Sequence, residues 1–205
     1  MIEANINGIF PTPIYISKLN RELTNKELSF IDKTKLDVYK NEGNTTSNDN
    51  YILNHKAFKE LKTDLDLRVK DYFKKVISPT DAITPYITQS WLNYTETNQY
   101  HHKHEHPNSL VSGVFYINCD DKFDKINFFK DNVYKTIKPE IKDWNIWNSE
   151  SWWFTVKTGD VILFPSSLTH MVETKKGTNT RISLAFNVFI KGKLGNNKNL
   201  NELII

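Results

Sequence analysis

A dense cluster of histidines lies near the middle of the chain. The segment Tyr100–Ser109 holds four of the six histidines, and His170 follows much later. Neutral imidazole is a good ligand for iron, zinc, copper or nickel. Alternate residues of a β-strand face the same side, so His104 and His106 would direct both rings at one point. Together with His170, they predict a metal site with open positions, the arrangement that non-haem iron oxygenases use.

The choice of the ligand pair stays open at the level of sequence. His102 shares the predicted face of His104 and His106, so the pair 102/104 competes with the pair 104/106. We favour 104/106 because Pro107 would end the strand directly after it and place the pair at a strand mouth. A hydrophilic segment of this kind is also compatible with a solvated loop that binds no metal.

A second group of candidate binding residues begins at Arg181. Arg181, Ser183 and Asn187 fall on one face of a predicted strand, while Ile182 and Leu184 fall on the other. The planar guanidinium of arginine matches a carboxylate, and a serine hydroxyl adds a further donor. This face therefore predicts a site for a small carboxylate. A surface arginine on a solvated sheet face is the alternative.

The residues after Pro85 predict a long β region that would position these groups. Period-two alternation and turn residues mark its strands. The predicted strands are Tyr86–Tyr94, Leu110–Asn118, Lys125–Phe129, Trp152–Val156, Val161–Phe164, Met171–Thr174 and Arg181–Ile190.

The region before Pro85 predicts one edge strand and two helices. Ile9–Ile16 contains two prolines and is expected to be extended. A capping box at Thr24 predicts a helix from about residue 25 to 40, and three-four spacing predicts a second helix over His55–Ile77. Many strands, with helices confined to the N-terminal part, predict a mainly β (α+β) fold. We expect a sandwich or jelly roll with the helices packed on the outside.

The chain of 205 residues is long enough for one domain with a sizeable core. We expect the N-terminal strand and helices over residues 1–80, the β core over 84–191 and a tail over 192–205.

Residues 41–50 are polar and predict a loop. Residues 130–150 are a charged insertion whose lysines would meet an acidic partner or, more in keeping with their mixed charge, solvent. These lysines are Lys130, Lys135, Lys138 and Lys142.

Composition narrows the class of protein. The net charge of +3 is too small to predict nucleic-acid binding by itself. Cys119 is the only cysteine, which excludes a disulfide framework and a thiolate metal site. The N-terminal residues do not resemble a secretory signal, and no apolar run has the length of a membrane span. We therefore expect a cytoplasmic protein.

Several blocks of the sequence resemble the 2-oxoglutarate/Fe(II)-dependent oxygenases found in bacteriophages and marine bacteria. They are Trp91–Asn93, His104–Ser109, Ser112–Tyr116, Gly159–Ser166 with His170, and Arg181–Asn187. The order and spacing of the blocks make the resemblance more specific than any one block, and it extends from about residue 8 to 190.

This resemblance implies a double-stranded β-helix, the cupin-like jelly roll of those enzymes. It implies Fe(II) held by His104, His106 and His170. It also implies 2-oxoglutarate as cosubstrate, with its distal carboxylate on Arg181 and Ser183. Further residues are expected near the cosubstrate or along the cavity, namely Tyr116 as a hydrogen-bond donor and Trp91, Asn93, Asn187 and His102 as lining.

The sequence departs from the wider superfamily at the second metal ligand. Most members carry His-x-Asp or His-x-Glu, whereas His106 stands at that position here. Glu105 would point the other way in a regular strand. Three neutral ligands leave a metal ion more positive than two histidines and a carboxylate do, which leaves the identity of the metal and its chemistry open.

The implied function is a 2-oxoglutarate- and Fe(II)-dependent dioxygenase that hydroxylates a protein side chain, a nucleobase or a metabolite. A phage-encoded protein would act in the host cytoplasm. Two other classes are a non-catalytic jelly-roll binding protein and a cupin-like metalloenzyme that does not use 2-oxoglutarate. Arg181 and Ser183 separate them, because a cupin-like enzyme needs no carboxylate anchor on that strand.

Overall fold

The computed structural model describes residues 2–80, 82–130 and 139–205. Its helices are α1 (Asn25–Thr34) and α2 (Lys59–Tyr72). Its strands are β1 (Tyr15–Lys18), β2 (Val38–Lys40), β3 (Thr45–Ser47), β4 (Ile83–Thr95), β5 (His101–His104), β6 (Val111–Asn118), β7 (Lys125–Phe129), β8 (Ser151–Thr155), β9 (Asp160–Pro165), β10 (His170–Val172), β11 (Arg181–Leu194) and β12 (Leu203–Ile204). The predicted insertion at 130–150 lies partly outside the described residues, and so do its lysines Lys135 and Lys138.

The strands form two antiparallel sheets, and the prediction of a mainly β fold is confirmed. The larger sheet has the order β1-β9-β6-β11-β4-β3-β2, with β12 paired to β11. The smaller sheet has the order β5-β10-β7-β8. No helix among the described residues is long and apolar enough to cross a membrane.

The two helices cover the outer face of the larger sheet. Leu61, Leu65 and Val69 of α2 are buried in one hydrophobic cluster with Leu92 of β4 and Leu184 of β11. Because strand residues alternate in direction, the neighbours of Leu92 and Leu184 point to the inner face. Burial of each leucine contributes roughly 1.5–3 kcal/mol. The helices therefore fix which face of β4 and β11 is turned toward the smaller sheet.

The region between the helices differs from the prediction. The capping box is present, since the Thr24 hydroxyl accepts from the Glu27 N–H. However, α1 ends at Thr34, and Val38–Lys40 is a strand. The loop predicted at 41–50 is wrong at Thr45–Ser47, which forms β3. The apolar pattern of α1 does not continue, and the β-branched threonines pair with the edge of β4 instead.

A second hydrophobic cluster fills the space between the two sheets. Tyr116, Ile126, Phe128 and Phe164 belong to it, and all four are buried. They come from both sheets, as expected for a sandwich whose inner faces meet. The polar groups of the candidate site lie beside this cluster, so apolar packing limits the access of water on that side.

Candidate metal and cosubstrate site

The structure brings together two histidines of the smaller sheet and one that follows its strand β5. His104 ends β5, His106 lies two residues further on, and His170 begins β10. His104 and His170 are register partners, with ring centroids 4.3 Å apart. The His106 ring is 4.9 Å from His104 and 5.2 Å from His170, and candidate ligand nitrogens of all three lie within 4.8 Å of one another. Such an arrangement can surround one metal ion.

The strand that carries the first ligands ends earlier than predicted. β5 stops at His104, so Pro107 does not terminate it. His106 instead lies beside the loop that follows β9, where its N–H donates to the Ser166 carbonyl over 3.0 Å. This backbone hydrogen bond keeps the His106 ring near His104, although His106 is not part of a paired β-strand. Glu105 between them is exposed, and it belongs to neither cluster of metal-binding type among the described residues.

Two of the three rings are oriented by backbone carbonyls. The Nδ1 of His104 lies 2.8 Å from the carbonyl of His102, and the Nδ1 of His170 lies 3.0 Å from the carbonyl of Leu168. A carbonyl only accepts, so Nδ1 must carry the proton in both rings. The Nε2 atoms then keep their lone pairs for a metal. Protein ligands of metals are commonly held in this way by their second nitrogen.

Burial keeps the histidines neutral. It lowers the pKa of His170 to about 3 and that of His106 to about 4, and nearby histidines add to the effect. The pKa of His104 is also lowered, mainly by burial. Metal binding requires unprotonated imidazole, so these shifts favour it at neutral pH. The donor set therefore fits a divalent transition metal.

A second group of histidines shares one member with the first. His101, His102 and His104 also offer nitrogens within 4.8 Å of one another. However, the Nδ1 of His104 is already bonded, so only its Nε2 is free for a metal. The cavity beside this ring is lined by His106 and His170 as well as His101, but not by His102. The geometry thus favours the ligand pair 104/106 over the pair 102/104. His102 does not line the cavity, contrary to the prediction.

The predicted carboxylate-binding residues line the same cavity and come from the larger sheet. Arg181, Ser183 and Tyr116 belong to the larger sheet and line the cavity together with the three histidines. Ser183 is the register partner of Tyr116. All three are buried, and burial raises the pKa of the Tyr116 phenol, which therefore stays protonated and can donate.

The other predicted lining residues divide into two groups. Trp91 and Asn93 line the cavity. Asn187 does not, and its side chain instead accepts from the Ser112 hydroxyl over 3.2 Å. The β4–β11 pairing shifts between Phe186 and Val188. A shift of this kind breaks the strict alternation on which the prediction for Asn187 rested.

Three residues at or behind the site were not predicted from the sequence. His101 lines the cavity, and its ring lies parallel to that of His104 at 4.7 Å. Asp124 and Lys175 form a buried ion pair, and Asp124 also contacts Arg181. Asp124 is followed by Lys125 and Lys175 by Lys176, and both pairs lie in hydrophilic segments that look like solvated turns. No signal in a single sequence marks such residues as buried.

The family described as "Putative 2OG-Fe(II) oxygenase" matches residues 89–187. This span runs from β4 into β11 and includes the three histidines, Arg181 and Ser183. Residues 89–187 are thus similar to this oxygenase family. No curated protein matches the chain.

Solved structures share the fold of this chain at low sequence identity. HygX from Streptomyces hygroscopicus, solved with nickel, 2-oxoglutarate and hygromycin B bound, is 12% identical, with 86% of this chain and 82% of that chain covered and a TM-score of 0.58. A prolyl-4-hydroxylase from Pseudomonas putida is 11% identical, with 86% and 92% covered and a TM-score of 0.54. An oxidoreductase of the 2OG-Fe(II) oxygenase family from Burkholderia pseudomallei is 16% identical, with 80% and 78% covered and a TM-score of 0.52. These likenesses confirm the predicted jelly-roll fold.

Proposed function

We propose that the protein is a 2-oxoglutarate- and Fe(II)-dependent dioxygenase that hydroxylates its substrate at the cavity between the two sheets. One observation carries the proposal. The histidines His104, His106 and His170 offer ligand nitrogens within 4.8 Å of one another at this cavity, and the buried Arg181 lines the same cavity. A candidate site for a metal and one for a carboxylate therefore share one cavity, as a chelating oxo acid with a second carboxylate requires.

The residues of the chain have distinct roles in this proposal. His104, His106 and His170 hold Fe(II) through neutral imidazole nitrogens, and the carbonyls of His102 and Leu168 keep two of the rings in place. When bound, Fe(II) and 2-oxoglutarate supply oxidising chemistry in which one atom of O₂ enters the product and the other enters succinate, with release of CO₂.

The larger sheet orients the cosubstrate. Arg181 receives its distal carboxylate in a fork of N–H donors, and the Ser183 hydroxyl adds a donor beside it. The Tyr116 hydroxyl donates to a second oxygen of the oxo acid. The apolar cluster around Phe164 excludes water from one side of the cavity.

The substrate approaches from a polar groove next to the metal site. Trp91, His101 and His106 line both the cavity and this groove. The outer wall consists of Tyr39, Asn41, Thr46, Asn50 and Gln89, none of which carries a charge. Carboxamides and hydroxyls pair with neutral groups that both donate and accept hydrogen bonds. We therefore place an uncharged polar part of the substrate, such as an amide or a hydroxylated ring, in this groove.

We also infer that residues 1–205 form one domain that acts in the cytoplasm, or in the host cytoplasm if a phage encodes it. The helices of the N-terminal region share one hydrophobic cluster with the β core, which supports a single domain. Cys119, the only cysteine, is free, which is consistent with a reducing compartment.

The test is an anaerobic titration of the metal-free protein with Fe(II) and then 2-oxoglutarate, followed by visible absorption. We expect the weak charge-transfer band of the chelate with the wild type. The band should vanish with His106→Ala and weaken at a fixed cosubstrate concentration with Arg181→Ala. Circular dichroism of each variant shows whether the fold is retained.

The outcomes separate the competing functions. A protein that binds Fe(II) but never forms the band would contradict the use of 2-oxoglutarate and favour a cupin-like metalloenzyme. A folded protein that binds no divalent transition metal would favour a non-catalytic jelly-roll binding protein.

A further inference from the structure

A buried cluster of three charges lies behind the candidate carboxylate site. The Nη1 of Arg181 lies 3.3 Å from Oδ1 of Asp124, and the Nζ of Lys175 lies 3.3 Å from Oδ2 of the same carboxylate. The exposed fractions of the three side chains are 4% for Arg181, 1% for Asp124 and 0% for Lys175. The Asp124 carboxylate therefore pairs with two cationic side chains in a region that is almost inaccessible to solvent.

Only Arg181 of this cluster reaches the cavity. It lines the cavity, whereas Asp124 and Lys175 do not. Among the described residues, the guanidinium is hydrogen-bonded through Nη1 alone. Its remaining N–H groups are thus available to a ligand on the cavity side. Of the described residues that line the cavity, none is an aspartate or a glutamate.

Asp124 and Lys175 are held firmly where they are. The Oδ2 of Asp124 accepts from the Asp120 N–H over 2.8 Å, in addition to its contacts with the two cations. The backbone of Lys175 is bonded on both sides, donating to the Gln99 carbonyl over 2.7 Å and accepting from the Asn98 N–H over 3.0 Å. These bonds keep a lysine buried that would otherwise extend into solvent.

The charge count gives the cluster a function. Arg181 and Asp124 alone would form a neutral pair with little attraction for another carboxylate. Lys175 compensates the charge of Asp124, so the three side chains together carry one net positive charge. A buried net charge is costly unless a partner neutralises it. An anionic group in the cavity, next to Arg181, provides that partner.

We propose that Asp124 positions Arg181 and that Lys175 keeps this anchor cationic, so that the cavity selects 2-oxo acids with a second carboxylate. The inference rests on the proposed function and deepens it, because it names what makes the cosubstrate site selective. Asp124 and Lys175 act through Arg181 and do not touch the cosubstrate.

The experiment compares two oxo acids of equal length. 2-Oxoglutarate and 2-oxopentanoate both offer a keto group and an adjacent carboxylate to a metal, but only the first has a distal carboxylate. Their affinities for protein loaded with nickel(II) are measured by calorimetry without O₂, so the readout does not depend on turnover. The wild type should bind 2-oxoglutarate more tightly by about tenfold or more.

Two variants test the charge count. Lys175→Met keeps the length and apolar stem of the side chain but leaves Arg181 neutralised by Asp124. It should lose about tenfold in affinity for 2-oxoglutarate and bind 2-oxopentanoate as before. The double variant Asp124→Asn/Lys175→Met restores one net positive charge, keeps a side-chain oxygen that can accept from Arg181, and should recover most of the lost affinity. Thermal unfolding without ligand and nickel titration show that each variant is folded and binds metal.

The remaining outcomes overturn the inference. If Lys175→Met weakens both oxo acids equally, Lys175 has only a structural role. If the double variant is as weak as Lys175→Met, charge does not govern the anchor. If the wild type binds nickel but does not prefer 2-oxoglutarate, the inference and the proposed cosubstrate fail together, whereas a failure of the variants alone leaves the proposed function intact.

Discussion

His104 and His170 are direct register partners in the β5–β10 pair, and each ring donates from Nδ1 to the carbonyl two residues before it. The two candidate ligands of this pair therefore have the same local geometry on neighbouring strands. The same backbone that forms the small sheet also fixes the tautomers of both rings. His106, outside the strand, reaches the same point through its backbone bond to Ser166.

The two histidine groups can be separated by substitution. His170→Ala removes a candidate ligand that only the first group contains, whereas His102→Ala removes a member of the second group alone. Loss of a residue that only hydrogen-bonds to a metal ligand costs roughly 10–100-fold in metal affinity. Because His170 is itself a candidate ligand, we expect His170→Ala to lower the Fe(II) affinity by more than this. His102→Ala should change the affinity little, because its backbone carbonyl still holds His104. Competition with a coloured chelator under anaerobic conditions measures both. If His102→Ala lowered the Fe(II) affinity more than His170→Ala did, the result would indicate that the metal binds to the second group.

The stability of the metal-free protein should fall as the pH falls through the range of free histidine. The pKa of His170 is about 3 and that of His106 about 4 in the folded protein, below the value of about 6.5 in an unfolded chain. The unfolded state therefore binds more protons below about pH 6.5, and the free energy of unfolding decreases with falling pH. Urea unfolding at about pH 7.5 and about pH 5.5 measures the decrease. His170→Gln should show a smaller decrease than the wild type, and an equal one would contradict this account.

Tyr116→Phe tests the proposed donor to the cosubstrate. The substitution removes one hydroxyl from a buried ring that lines the cavity. A neutral hydrogen bond contributes about 0.5–1.5 kcal/mol, which corresponds to a loss of about 2- to 13-fold in 2-oxoglutarate affinity. Calorimetry with the nickel-loaded protein measures this loss, and 2-oxoglutarate-free unfolding serves as the control for stability. Unchanged affinity would mean that Tyr116 has only a packing role.

Gly113→Ala should disturb the end of the cavity from within the larger sheet. A Cβ at Gly113 would lie 2.2 Å from the ring of Phe186, its register partner on β11. We expect a destabilisation of about 1–3 kcal/mol, typical of overpacking. In a Phe186→Leu background the same substitution should cost less, because the clashing ring is absent. Urea unfolding of the four proteins tests this, and effects that add within about 0.5 kcal/mol would show that the two residues do not interact.

The sequence was sufficient for the elements whose pattern is regular. Period-two alternation predicted the strands of the β core, and the bounds Lys125–Phe129 agree with those of β7. The faces of β11 follow from the same alternation, with Arg181 toward the cavity and Leu184 in the core under the helices. The solved structures confirm the jelly-roll fold that the sequence blocks implied.

Other features depend on contacts that no local pattern encodes. β3 exists because Thr45 and Thr46 meet the edge of β4, although the segment is polar. The position of His106 depends on a bond to a distant loop and not on a strand. Asp124 and Lys175 are far apart in sequence, and the charge of the buried Lys175 is compensated by Asp124, which also pairs with Arg181.

The two halves of the site lie on different sheets. The candidate metal ligands His104 and His170 belong to the smaller sheet, and His106 follows its strand β5, whereas Arg181, Ser183 and Tyr116 belong to the larger sheet. A cosubstrate bound between these two groups would link the two sheets of the sandwich. Its binding would slow any motion that separates the sheets, and the distance between the sheets would determine the length of the cosubstrate that fits. Hydrogen exchange of β10 amides, measured with and without the cosubstrate, would then follow the mechanical coupling of the sheets.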